Sequence, residues 1–158
     1  MTCAAHVQAE GKGFPGQLGI FSDDHVPGLT RLAETIKAND SIAIVQLYHG
    51  GMRCPKDVIG MPPLCPSDNE KWGARAMTTA EVEGMIEAFI TAAERAERAG
   101  FDGVELRGAH GYILAQFLSA EINHRDDRYG GSLANRQRPI LEIIDGIRKR
   151  CGSDFMLG

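Results

Sequence analysis

Three helix-like patterns alternate with short apolar runs, and those runs lack the strict polar alternation of a strand with one wet face. Both termini carry a strand-like stub without its partner elements. Together these features predict an α/β chain that forms part of a (β/α)8 TIM barrel, roughly the second strand to the start of the fifth. A complete barrel of this kind needs about 250 residues, and the sequence has 158. No internal composition shift marks a boundary, so residues 1–158 are expected to be a single partial barrel domain.

Each element has a local reason. Thr2 to Val7 reads as the tail of a strand. Ser22 or Asp23 can cap a first helix whose apolar face is Leu29, Leu32, Ala33 and Ile36, ending near Asn39. Ser41 to Tyr48 is a buried strand. A long Pro- and Gly-rich loop follows, from Gly50 to Met77. Thr78-x-x-Glu81 is a capping box, and Val82, Met85, Ile86, Phe89, Ile90 and Ala93 form the apolar stripe of a second helix that stops at Gly100. Asp102 to Leu106 is the next strand. The third helical pattern starts near Ser132 and carries Ile140, Leu141, Ile143, Ile144 and Ile147 to Gly152, with Pro139 inside it. A proline in a helix interior costs about 3 kcal/mol, so the helix is expected to restart with Pro139 in its first turn. Asp154 to Leu157 opens a further strand.

Composition narrows the function classes. Apolar residues make up 43% and charged residues 24%, which is globular, and the net charge of -4 is spread without a basic stripe, so no nucleic acid is expected as partner. No run approaches the ~18 to 20 apolar residues of a membrane span, and the amino terminus has no basic region leading into an apolar core. A soluble, cytoplasmic protein with no membrane partner is expected. Cys3, Cys54, Cys65 and Cys151 contain no Cys-x-x-Cys pair, and His6, His25 and His124 are scattered. Reduced thiols and no metal site are the expectation.

The chemistry concentrates in Gly100-Phe-Asp-Gly-Val-Glu-Leu-Arg-Gly-Ala-His-Gly-Tyr112, where a strand runs directly into Arg107, His110 and Tyr112. Parallel α/β folds place their sites at the carboxyl ends of strands. Three protic side chains there mark a candidate pocket for a small-molecule substrate. The loop from Asn123 to Ser132 reads as structural: Arg125 and Asp127 can pair with neighbours, and Gly130-Gly131 permit the turn into the next helix. His49, beside Gly50-Gly51, is open between a packing and a ligand-facing role.

Four segments in order, Gln46-Leu-Tyr-His-Gly-Gly51, Gly103-Val-Glu-Leu-Arg-Gly-Ala-His-Gly-Tyr112, Gln116-Phe-Leu118 and Asn123-His-Arg-Asp-Asp-Arg-Tyr-Gly-Gly-Ser132 with Asn135-Arg136, resemble the Old Yellow Enzyme family of FMN-dependent oxidoreductases, including its dienoyl-CoA reductase and trimethylamine dehydrogenase relatives. The resemblance spans nearly the whole chain. It implies FMN as cofactor, NADH or NADPH as reductant, and an activated alkene such as an enone or dienoyl compound as substrate. An amine-dehydrogenase-like flavoenzyme and a catalytically silent half-barrel are the alternatives. On the resemblance, Gln46 faces the pyrimidine side of the flavin, Ala4 is a small residue that lets backbone approach it, His110 donates to a substrate carbonyl oxygen and Tyr112 protonates the α-carbon.

Arg107 departs from the pattern, in which its position commonly carries His. Its fixed charge and forked donors suit a carboxylate or enolate, or the reduced flavin, or a structural salt bridge with Glu105 or another carboxylate. The resemblance places the FMN phosphate in loops late in the barrel. The isolated chain is therefore expected to bind FMN weakly or not at all and to be inactive alone, and its edge strands to invite pairing into a homo-oligomer.

Overall fold

The computed structural model describes residues 1–158. In chain order the elements are β1 (Ala4–His6), α1 (Val26–Lys37), β2 (Ile44–Tyr48), α2 (Lys56–Ile59), β3 (Leu64–Cys65), β4 (Arg75–Ala76), α3 (Thr79–Arg98), β5 (Gly103–Leu106), α4 (Ile113–Leu118), α5 (Leu133–Arg136), α6 (Arg138–Cys151) and β6 (Met156–Leu157).

The main sheet has four parallel strands in the order β1-β2-β5-β6, so each new strand adds beside the last. Doubly wound sheets reverse direction partway. This one does not, and right-handed crossovers that always step the same way lay their helices on one face, as in a barrel wall. The helices pack accordingly, α1 against α3 and α3 against α6. The sheet is open, with β1 and β6 as its edges. Register sets the interior row: Ala4 lies opposite Gln46, and Gln46 opposite Glu105.

The main core is a cluster of 29 buried residues between sheet and helices. Helix α3 supplies the stripe expected of it, with Val82, Met85, Phe89 and Ala93 fully buried. Its start is the expected capping box: Glu81 N donates to Thr78 Oγ1 at 3.2 Å and Thr78 N donates to Glu81 Oε2 at 2.8 Å. Arg75 adds two bonds to the same carboxylate, at 2.9 and 2.6 Å. Ser22 caps the entry to α1 in the same reciprocal way, with His25 as its partner. At Pro139 the chain restarts: Ser132 caps the one-turn α5, and α6 then begins with the proline in its first turn.

The stretch from Gly50 to Met77 reads in sequence as one long loop, and the structure gives it internal order. A helical turn at Gly51–Arg53, α2, the parallel pair β3 and β4, and a turn at Glu70–Trp72 fold it back on itself. The Asn123 to Ser132 loop fastens this excursion to the body. Arg125 pairs with Asp127 at 2.5 Å and donates to the carbonyls of Pro66 and Met77. Gly130 is required by space, since a Cβ there would lie 2.1 Å from the Arg125 carbonyl oxygen.

Two outcomes follow from this packing. Phe89→Ala, which empties the middle of the main core, is expected to lower unfolding free energy by about 3 to 5 kcal/mol in denaturant titration. Arg75, followed by the Thr78 amide, holds the Glu81 carboxyl down to about 2 from an ordinary 4.5. A carboxyl depressed in the folded state contributes stability that is complete above its unfolded value and is lost as pH falls toward its folded one. Melting temperatures recorded between pH 5 and pH 2 should therefore fall less steeply in Glu81→Gln than in the unaltered chain.

Candidate active site

Beyond the carboxyl ends of β2 and β5, the chain makes two tight reversals that present polar side chains to one space. The turn after β5 has His110 and Gly111 both in the left-handed region, at φ 58° and 70°. Histidine tolerates this conformation better than a branched residue would. The reversal brings Tyr112 back to cap α4 and directs it toward β2, where its ring meets that of Tyr48 edge-on at 4.7 Å.

A cavity of about 600 Å3 opens here, and Ala4, Gln46, Arg107 and Tyr112 all line it. Four of the five residues singled out in the sequence therefore share one space. The fifth, His110, is exposed and is not part of the lining; it joins the group through Arg107.

A chain of hydrogen bonds organises the group. The buried Gln46 amide donates from Nε2 to Glu105 Oε1 at 2.5 Å and accepts at Oε1 from Arg107 Nη1 at 2.9 Å. Arg107 Nη2 reaches His110 Nδ1 at 3.1 Å. A guanidinium can only donate, so this bond occupies the Nδ1 lone pair and leaves the imidazole proton at Nε2. Arg107 also lies over the Tyr112 ring, 5.4 Å from its centre. Of the three readings open for Arg107, the salt bridge with Glu105 does not form. The carboxylate and the guanidinium instead take opposite ends of the Gln46 amide.

His49 resolves as packing. Its ring is fully buried, Nδ1 accepts from the Gly51 amide at 3.0 Å, and burial lowers its pKa to about 4. Gly11 must lack a side chain for the ring to fit, since a Cβ there would lie 2.7 Å from it. Burial likewise pushes the Cys54 thiol up to about 12, which removes it as a thiolate nucleophile. All four cysteines are free, and no three His, Cys, Asp or Glu side chains cluster as metal ligands. No helix is long and apolar enough to cross a membrane.

Several supports have roles that the sequence did not assign. Gln116 is buried, with its amide donating to the carbonyls of Gly50 and Gly111 at 3.2 and 2.8 Å and accepting from the Met52 amide at 3.1 Å. It ties the loop after β2 to the turn that carries Tyr112. The Gln116-Phe-Leu118 segment of the resemblance marked the residue without assigning it a role. Gln17 accepts from the Gly13 amide at 2.6 Å and donates to the Ala4 carbonyl at 3.1 Å, drawing the loop after β1 toward the same cavity. Arg53 and Trp72 complete the lining from the excursion after β2.

An open parallel sheet wound in one direction, with its polar groups gathered by the loops that follow its strands, defines a barrel-type enzyme site. The chain matches the model of the NADH:flavin oxidoreductase / NADH oxidase family over residues 1–158, and it belongs to that family. It is 46% identical over 155 residues to a Bacillus subtilis (strain 168) protein named "Probable NADH-dependent flavin oxidoreductase", covering 94% of this chain and 41% of that protein. Among solved structures, a 2-naphthoyl-CoA reductase in complex with 2-naphthoyl-CoA superposes with a TM-score of 0.91 at 35% identity, over 98% of this chain and 26% of the other. The Old Yellow Enzyme homologue from Zymomonas mobilis gives 0.88 at 30% identity, over 96% and 46%. The chain thus spans less than half the length of these relatives.

The side chains present fit the flavin that the family implies. The Gln46 amide has one N–H and one lone pair engaged, and a carboxamide keeps a second of each for the alternating donors and acceptors of a pyrimidine edge. Arg107 Nε is buried without a partner, a donor still to be satisfied.

Gln116→Met conserves volume and removes three bonds to buried or half-buried backbone groups. It should cost on the order of 2 to 3 kcal/mol. Amide exchange should accelerate most at Met52, whose N–H loses its acceptor.

Proposed function

We propose that this chain forms the ring-facing and substrate-facing side of an FMN-dependent oxidoreductase that passes reducing equivalents from NADH or NADPH to an activated alkene. The observation that carries this reading is the convergence of the Gln46 amide, the Arg107 guanidinium and the Tyr112 phenol on one cavity, with His110 bonded to Arg107 at its edge.

When bound, FMN supplies hydride chemistry between the nicotinamide and the alkene. The chain's own residues then have distinct tasks. Gln46 holds the pyrimidine edge through its free N–H and lone pair, and Ala4, directly opposite Gln46 in register, leaves room for the ring to approach backbone. Arg107 compensates negative charge on the ring side and, by donating to His110 Nδ1, presents the Nε2 proton outward. That N–H donates to the substrate's carbonyl oxygen and draws developing charge toward it. Tyr112 supplies the proton that the α-carbon takes up, from a hydroxyl held in place by the Tyr48 ring and the Arg107 guanidinium.

The test is an anaerobic titration of flavin-loaded protein, following the visible spectrum. NADH or NADPH should bleach it and an enone should restore it. In Tyr112→Phe the enone half-reaction should slow by about 100-fold or more while reduction by nicotinamide stays within about twofold. Equal slowing of both halves would remove Tyr112 as proton donor, and reoxidation by no enone would remove the alkene reading.

A further inference from the structure

The proposed reaction needs one guanidinium in the cavity, and the cavity has two. Arg53 lines it from the turn after β2, and no carboxylate lines it anywhere. Several other arginines are answered by carboxylates: Arg75 has Glu81, Arg95 has Asp23, Arg125 has Asp127 and Arg150 has Glu87 and Glu94. The Arg53 amide donates to the Gly50 carbonyl at 3.2 Å, and its guanidinium has no ion pair or hydrogen bond within the chain.

Arg53 is exposed, and its guanidinium lies beside two aromatic rings rather than beside a carboxylate. Its Cζ lies 5.5 Å from the centre of the Trp72 ring and 6.0 Å from that of Tyr112. Gly111 gives it space, since a Cβ there would lie 3.2 Å from Nη2. Aromatic faces fix the plane of a guanidinium while leaving its N–H edge unused. That edge is a fork for a planar anion, which carboxylates match with two parallel bonds. Beside it, Trp72 and Phe14 stay 41% and 48% exposed at the cavity, apolar surface suited to a hydrocarbon body.

We propose that Arg53 is a carboxylate-recognition residue, so that the alkene taken by this site carries a carboxylate. This rests on the reading of the cavity as a reductase substrate site and names its substrate class. A carboxylate on Arg53 sits against the same ring that bears the Tyr112 hydroxyl. The charge then selects and orients the substrate, and a neutral ester or amide of the same shape loses that grip.

Propionate, a saturated acid that cannot turn over, tests the site without any reaction. Titrated into the full chain and followed by amide and indole NMR, it should shift the Trp72 indole and Gly111 amide resonances saturably. Neutral propionamide should leave them in place. Arg53→Gln should weaken propionate about tenfold or more, and Arg53→Lys, which keeps the charge but not the fork, should recover part of the loss. Equal responses to propionate and propionamide, or unaltered affinity in Arg53→Gln, would overturn the proposal. Tighter binding of inorganic phosphate at the same resonances would overturn the carboxylate assignment. Flavin is not needed for this titration, so the two readings fail separately. A propionate response in protein whose flavin no enone reoxidises refutes the alkene-reductase reading alone, and an inert Arg53 in flavin-loaded, enone-reducing protein refutes only the anion site.

Discussion

The Gln46 amide is the joint on which the site depends. It sits on β2, buried, with Glu105 of β5 on its donor side and Arg107 on its acceptor side. Parallel register makes this possible: pairing places Gln46 directly opposite Glu105, and Arg107 follows two residues later, just past the strand end. A one-residue slip would turn Gln46 to the other face and dissolve the arrangement. The amide also keeps a full positive and a full negative charge from collapsing into a direct pair. Arg107 is left aligned to reach His110 on one side and the Tyr112 ring on the other. Position thus passes from the sheet, the most rigid part of the molecule, to side chains on the most mobile kind of segment.

Much of the scaffold was legible because its signals are local. The Thr78/Glu81 box, the apolar stripe of α3 and the restart at Pro139 depend on spacings of three or four residues within one segment, and each has the form the spacing requires. The order of strands followed from alternation with helices. The Gly50 to Met77 stretch was not legible, because strands of two residues, β3 and β4, carry no periodicity and are set by pairing with each other and by contacts from α4 and the Asn123 to Ser132 loop. The same limit applies to side chains. His49 has the sequence context of a ligand and the structure of a core residue, because the atoms that bury it come from Gly11, thirty-eight positions earlier.

The site residues divide along the same line. Gln46, Arg107, His110 and Tyr112 could be given roles because they lie in or just after strands and fall in a recognisable pattern, whereas the roles of Gln116, Arg53 and Trp72 arise across the fold. Gln116 is an ordinary helical glutamine until its amide is seen bridging three backbone groups from two loops. Gly51 makes the bridge possible twice over: it takes a φ of 61°, and a Cβ in its place would lie 2.3 Å from the Gln116 oxygen.

The charge pattern then distinguishes support from recognition. Where an arginine fixes structure here, its hydrogen bonds are spent on partners within the chain, as with Arg125 on Asp127 and two carbonyls. Arg107 is intermediate, with two bonds made and Nε buried but unanswered. Arg53 is the limit of the series, exposed beside the Trp72 and Tyr112 rings, with every guanidinium donor unspent within the chain. Stacking supplies position without consuming hydrogen-bonding capacity, so it suits a cation whose partner arrives from solution. The gradient from satisfied to unsatisfied guanidinium therefore runs from scaffold, through the Gln46 group, to the exposed Arg53 in the cavity lining.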